Sequence, residues 1–261
     1  MMPIAKMKEG KVRSPARVGL ILGLGFFLAA AGWLAGFRRP LFLCLWNSSY
    51  PAAAEEPSAP PGPDEQKQFL VRLAAAAIEQ TTRPVSYDPS YLSIPYPGGD
   101  VPDDRGVCSD VLIRAFRKVG VDLQKEVHKD MLSHFRLYPP LWGLTRPDPN
   151  IDHRRVPNLM VFFKRKGEVL AITSNPADYA PGEIVAWDLG GGISHLGLVV
   201  DRRSADGKRY MVVHNIGAGP RLEDVLFAYP IIGHFRYYGP DPHLPALESE
   251  LRLKLKAPGS D

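Results

Sequence analysis

Apolar residues recur along this chain with two periods, helical through the first half of the folded region and strand-like through the second. In "EQKQFLVRLAAAAIEQTT", which begins at Glu65, Phe69, Leu70, Leu73, Ala76, Ala77 and Ile78 fall on one helical face, and the stretch ends before Pro84. The next residues, "RPVSYDPSYLSIPYPGGDVPDDRG", are dense in proline, glycine and aspartate and predict an irregular run of turns. From Cys108 the helical period returns: Val111, Leu112, Ala115, Phe116 and Val119 share a stripe, and Gly120 supplies a stop. Between residues 127 and 167 the pattern predicts a short helix, a proline-broken loop and a further helix with Leu159, Phe162 and Phe163 inward. Thereafter "GEIVAWDL" (182–189), "SHLGLVVDRR" (194–203), "RYMVVHNIG" (209–217) and "IIGHFRYYG" (231–239) read as strands, the first three joined by the turns "GGG" (190–192) and "SADGK" (204–208). Helices followed by hairpin-linked strands predict an α+β domain over 65–240, its N-terminal helices packed on an antiparallel sheet.

The chain before this domain has a different pattern. Val18 to Phe37 is a run of 20 uncharged, mostly apolar residues, the length needed to span a bilayer as a helix. Lys6, Lys8, Lys11, Arg13 and Arg17 precede it, so residues 1–17 are expected in the cytoplasm and everything after Phe37 outside. The span is longer than a signal-peptide core and is followed by Arg38 and Arg39, which favours an uncleaved signal anchor over secretion after cleavage. Residues 38–64, rich in proline and alanine, read as a linker in which Cys44 fills the membrane edge, and 241–261 as a charged tail. The net charge of +4 comes from the N-terminus, because residues 1–39 hold seven Lys and Arg against Glu9. The remaining body is slightly acidic, which excludes a basic nucleic-acid-binding face.

Cys108 is the one cysteine beyond the span and linker, and turns before it with helix after it place it at a helix N-terminus, where amide donors and the dipole favour a thiolate. A nucleophilic thiol needs a base, and the base needs a group to orient it. His195 opens one predicted strand and His214 ends the next. If these strands pair through "SADGK", the two histidines lie side by side at the same end of the sheet. Asn215 is the alternative third member. Asp152, His153, Arg154 and Arg155 form a compact group able to bind an anionic substrate, or else a helix start with Asp152 as cap. Asp152, His153, His195 and His214 could be metal donors, but no short two-histidine or two-cysteine spacing typical of a zinc site is present, and no metal is expected.

"PYPGG" (95–99), "VCSDVLIRAFRKVG" (107–120), "APGEIVAWDLGGGISHLGLVVD" (180–201) and "YMVVHNIG" (210–217) resemble the NlpC-type cysteine peptidases of bacterial cell walls, a papain-like fold. "GDVPDDRGVCSDV", "NIDHRRVPNL" and "VHNIGAG" resemble more closely the domain-of-unknown-function 1287 family, over about Tyr91 to Tyr238. The resemblance implies Cys108 as nucleophile, His195 as base, His214 as the third polar member and Tyr96 as the upstream tyrosine that orients the site. It departs at the nucleophile: the peptidases have Asp-Cys-Ser-Gly where this chain has Val-Cys-Ser-Asp, which adds Asp110 to the candidate substrate-binding residues. The implied function is a thiol peptidase or amidase, with no cofactor, acting on the peptide part of peptidoglycan from the bacterial inner membrane, its domain in the periplasm or outer envelope. An acyl or peptidyl transferase, or a non-catalytic envelope-binding module, are the alternatives.

Overall fold

The computed structural model describes residues 62–240; the terminus 1–17, the apolar span 18–37, nearly all of the linker 38–64 and the tail 241–261 lie outside the described residues. No helix among the described residues is long and apolar enough to cross a membrane.

Four helices come first. α1 (Pro63–Gln80) starts two residues before the periodic run because Pro63 presets the first helical φ and Glu65 reaches back to accept the Gly62 N–H at 2.9 Å. Its buried face, Leu73, Ala74, Ala76 and Ala77, is mostly alanine, which allows a close approach to α2 (Cys108–Lys118). α3 (Leu123–His134) is capped by Asp122, whose carboxylate accepts from the Gln124 N–H at 3.1 Å. A 3-10 turn over Asp152–Arg154 leads into α4 (Val156–Lys166). In the irregular segment between α1 and α2, β1 (Ser86–Tyr87) and β2 (Arg105–Gly106) pair in parallel.

The sheet contains β3 (Glu168–Val169), β4 (Ile184–Asp188), β5 (Ser194–Arg203), β6 (Tyr210–His214), β7 (Arg221–Glu223) and β8 (Ile231–Arg236), in the order β3-β8-β4-β5-β6-β7. Every neighbouring pair is antiparallel. β4, β5 and β6 form the expected meander, but β8 returns across the sheet to pair with β4 rather than following β6. Glu183 and His234 fix that return, with His234 Nε2 2.8 Å from Glu183 Oε2 and His234 Nδ1 2.9 Å from the Ala171 carbonyl. One face of the sheet meets the helices through Leu112, Phe116, Leu159, Phe163, Leu196 and Leu198. The other carries a smaller core of Tyr179, Val185, Trp187, Val199, Val212 and Leu226. Period-two alternation explains the split, since Leu196 and Leu198 face the helices while His195 and Gly197 share the side of Trp187.

The start of α2 is held by a buried ion pair. Arg154 Nε and Nη2 donate to the two oxygens of Asp110, both at 2.9 Å, and Asp110 Oδ2 also accepts the Val107 N–H at 2.6 Å. Arg154 goes on to donate to the carbonyls of Ser90 and Asp88, and Ser109 Oγ donates to the Arg154 carbonyl at 2.7 Å. Asp110 and Arg154 are 2% and 6% exposed, so neither can turn to water when its partner is lost. Arg154→Leu is therefore expected to destabilise the domain by about 3–5 kcal/mol, because it leaves a buried carboxylate uncompensated. Urea unfolding measures this, and a loss below about 1 kcal/mol, the size of a surface pair, would contradict it.

Candidate active site

Cys108 is the first residue of α2 and is buried, and the backbone amides of Leu196, Ser109 and Cys108 itself favour its thiolate form. The strand residue among them, Leu196, follows His195 near the start of β5. Burial pushes the thiol up to about 11; the amide donors oppose this and Asp110 adds to it. The expectation of a thiolate favoured by the helix N-terminus is corrected, because desolvation outweighs the amides.

His195 and His214 occupy adjacent antiparallel strands, in a register that pairs Gly197 with His214 and so sets the two imidazoles on one diagonal of the same face. His195 Nε2 and His214 Nδ1 are 2.9 Å apart, and His214 Nε2 is 2.8 Å from Glu223 Oε2. Trp187 walls this pair. Its ring stacks on His195 with centroids 5.8 Å apart, and its Nε1 donates to the Leu226 carbonyl. Gly197 makes room for that ring, since a Cβ there would stand 2.7 Å from Trp187 Cη2.

Burial lowers the pKa of His195, to about 3, with the neighbouring His214 as second cause; burial also lowers that of His214, against the pull of Glu223. Both rings are then neutral near pH 7, and the hydrogen bonds dictate their tautomers. The Glu223 carboxylate only accepts, so the proton of His214 sits on Nε2 and its Nδ1 is a lone pair. That lone pair takes the Nε2 proton of His195. The remaining nitrogen of His195, Nδ1, is left with a lone pair and can receive a proton.

Glu223 escaped the sequence reading because β7 is only three residues long and follows the "GAGP" turn, too short for an alternation to register. The β6–β7 register, Val212 with Glu223 and His214 with Arg221, is the signal that locates it. Asn215, the alternative third member, is occupied elsewhere: its Nδ2 donates to the Gly106 carbonyl and its Oδ1 accepts the Gly217 N–H. It ties the loop before Cys108 to the end of β6 and makes no hydrogen bond to His195 or His214 among the described residues.

Tyr96, the upstream tyrosine that the resemblance implies, lies against α3. It packs edge-on against His128, 4.9 Å between centroids, and its hydroxyl is raised by burial and by the charges of Asp122 and Glu126. The Tyr87 hydroxyl is the one raised by burial and then by Cys108 and Asp110. Three tyrosines, Tyr87, Tyr91 and Tyr96, in a segment without a period gave the sequence no means to choose among them.

Of the candidate substrate-binding residues, Asp110 and Arg154 are spent on each other and sealed from solvent. His153 is 2% exposed, with burial pushing its imidazole down to about 4. Asp152 is 1% exposed and holds the Asp148 N–H and the Arg155 guanidinium; it does not cap α4, whose N-cap is Arg155. Arg155 alone of the five keeps part of its side chain at the surface. Among the described residues no group of three or more His, Cys, Asp or Glu is placed to hold a metal ion.

The structure of NlpC2 from Trichomonas vaginalis aligns at a TM-score of 0.35 and 15% identity, covering 65% of this chain and 46% of that one, so this chain spans less than half of that protein. Escherichia coli K12 carries a protein named "Uncharacterized protein YijF" that is 49% identical over 185 residues, 70% of this chain and 90% of that protein. The family described as Domain of unknown function (DUF1287) matches residues 74–237, from within α1 to just past β8 and including Cys108, His195, His214 and Glu223; the chain belongs to that family.

Proposed function

We propose that this protein is a thiol hydrolase, a peptidase or amidase of the cell envelope, with Cys108 as nucleophile and His195 as base. The observation that carries the reading is the hydrogen-bonded chain from Glu223 through His214 to His195. It leaves a lone pair on His195 Nδ1, and the amide of the next residue, Leu196, acts on the Cys108 thiol. In the proposed reaction the Cys108 S–H proton passes to Nδ1 as sulfur attacks an amide carbonyl carbon. Amide donors at the open first turn of α2 face the resulting oxyanion. Collapse breaks the C–N bond, the amine leaves with the Nδ1 proton, and a thioester remains. Water then adds with Nδ1 taking its proton, and the acid departs as that proton returns to sulfur. The peptide part of peptidoglycan is the proposed substrate, and residues 18–37 the proposed inner-membrane anchor.

Digestion of purified peptidoglycan by the full-length protein is expected to release fragments that the Cys108→Ala protein does not, as read by mass spectrometry. Identical fragments would sink the substrate assignment, and unaltered envelope phenotypes in a folded Cys108→Ala strain would favour a binding module. Adding an amine and finding it joined to the acyl fragment in place of water would reassign the enzyme as a transferase.

Glu223→Gln tests the relay. A glutamine amide can donate to His214 Nε2, which moves the His214 proton to Nδ1 and forces the His195 proton onto its own Nδ1, abolishing the base. The expected result is a kcat lower by at least about tenfold at nearly unchanged KM. An unchanged kcat would remove Glu223 from the mechanism.

The pH profile follows from the same burial. With the His195 imidazole held down to about 3, its neutral, proton-accepting form persists as pH falls. The acid limb of kcat/KM is therefore expected well below the ordinary histidine value of 6.5. Alkylation of Cys108 by iodoacetamide should accelerate only as pH climbs toward about 11. An acid limb at 6.5 would show that burial does not hold the base down, and fast alkylation at neutral pH would show a thiolate–imidazolium pair instead.

A further inference from the structure

A cavity of about 290 Å³ opens between the end of α3, the loop 138–144 and the start of α4. Phe135, Tyr138, Pro139 and Trp142 give it aromatic and apolar walls, and Arg136, Arg155, Asn158 and the buried Asp152, already paired with Arg155, give it polar ones. Arg155 is held in place from two sides: its Nη1 donates to Asp152 Oδ1 at 3.1 Å, and its guanidinium carbon lies 4.0 Å over the Trp142 ring. That arrangement uses one of its five N–H donors and leaves Nε and Nη2 without a protein acceptor among the described residues. Burial opposes the Arg155 charge despite Asp152, so an added anion is favoured there. Arg136, exposed on the same wall, makes no ion pair among the described residues.

Asn158 supplies the second, independent observation. It is 1% exposed, its Nδ2 donates to the Asp152 carbonyl at 3.1 Å, and its Oδ1 has no hydrogen-bond partner among the described residues. A buried amide oxygen left without a donor is uncommon and costs about 1–3 kcal/mol, which a ligand N–H would recover. Two cations with free donors, an aromatic wall and one unfilled acceptor define the occupant: a carboxylate, a small apolar body and an N–H close to both.

We propose that this cavity binds the C-terminal residue of a short peptide, its carboxylate on Arg155 and Arg136, its side chain on Trp142 and Phe135, and its amide N–H on Asn158 Oδ1. The site is coupled to the nucleophile, because the 3-10 turn that carries Asp152 and Arg154 also accepts the Ser109 hydroxyl. As a substrate-recognition site it rests on the hydrolase reading; as a binding site it does not.

Isothermal titration of the full-length Cys108→Ala protein with N-acetyl-alanyl-alanine, and with the same peptide as its C-terminal amide, separates the two. The acid is expected to bind at least about tenfold more tightly than the amide, the margin a guanidinium–carboxylate pair provides. Arg136→Ala, at an exposed position, should weaken the acid by about tenfold with an unchanged melting temperature, and Arg155→Lys should do the same through loss of the planar fork. Equal affinities for acid and amide, no heat with millimolar acid, or an Arg136→Ala protein that binds as well as its parent would overturn the proposal. Binding of the acid alongside failure of the wild-type protein to digest peptidoglycan would discard that substrate and leave this site standing.

Discussion

The carboxylate of Asp110 and the guanidinium of Arg154 sit almost fully out of water, 44 residues apart in sequence, and either would be prohibitively costly there without the other. What makes the pair tolerable is near-complete occupancy. Asp110 takes two bonds from Arg154 and one from the Val107 N–H, while two of the three remaining guanidinium N–H groups reach the Ser90 and Asp88 carbonyls. Three segments without regular structure in common, the start of α2, the turn 152–154 and the loop 88–90, are thereby fixed to one another. Gly106 completes the arrangement, since a Cβ there would stand 3.1 Å from Asp110 Cβ, and its carbonyl accepts from Asn215. The backbone on either side of Cys108 is thus located by groups other than the thiol, which stays free of any structural duty beyond filling its place in the core.

The same pair shows why a site can be half legible. Helix and strand periods are local, so the helical run from Cys108 and the strands carrying His195 and His214 could be read directly, and one hairpin turn was enough to bring the histidines together. A contact between residues 110 and 154 has no local signature, and Asp110 and Arg154 looked like polar residues waiting for a substrate. Glu223 was hidden for a different reason. Three residues of strand after a glycine-rich turn carry too little alternation to be told from loop, although the hairpin they close is as tight as the one before it. β8 pairs with β4 across the intervening chain from β5 to β7, and that return depends on long-range contacts such as Glu183 with His234, which no window of sequence contains.

On the proposed mechanism, burial sets a cost that the relay is built to offset. With sulfur pushed up to about 11 and the base down to about 3, the resting site holds a thiol and a neutral imidazole, a state that spares the cysteine from oxidation, which attacks the thiolate. Transfer of the proton then creates charge in a place that resists it. The anion disappears as the sulfur bonds to carbon, but the imidazolium persists until the amine leaves, and it is this cation that needs stabilising. His214 lets the charge spread over two rings, and Glu223, the relay member most open to water, provides the counter-charge at little desolvation cost of its own. A single buried acid beside His195 would have had to be desolvated as well. Placing the acid one imidazole further out keeps the reacting pair dry and the carboxylate wet, which is a physical reason for a histidine, and not an acid, to stand next to the base.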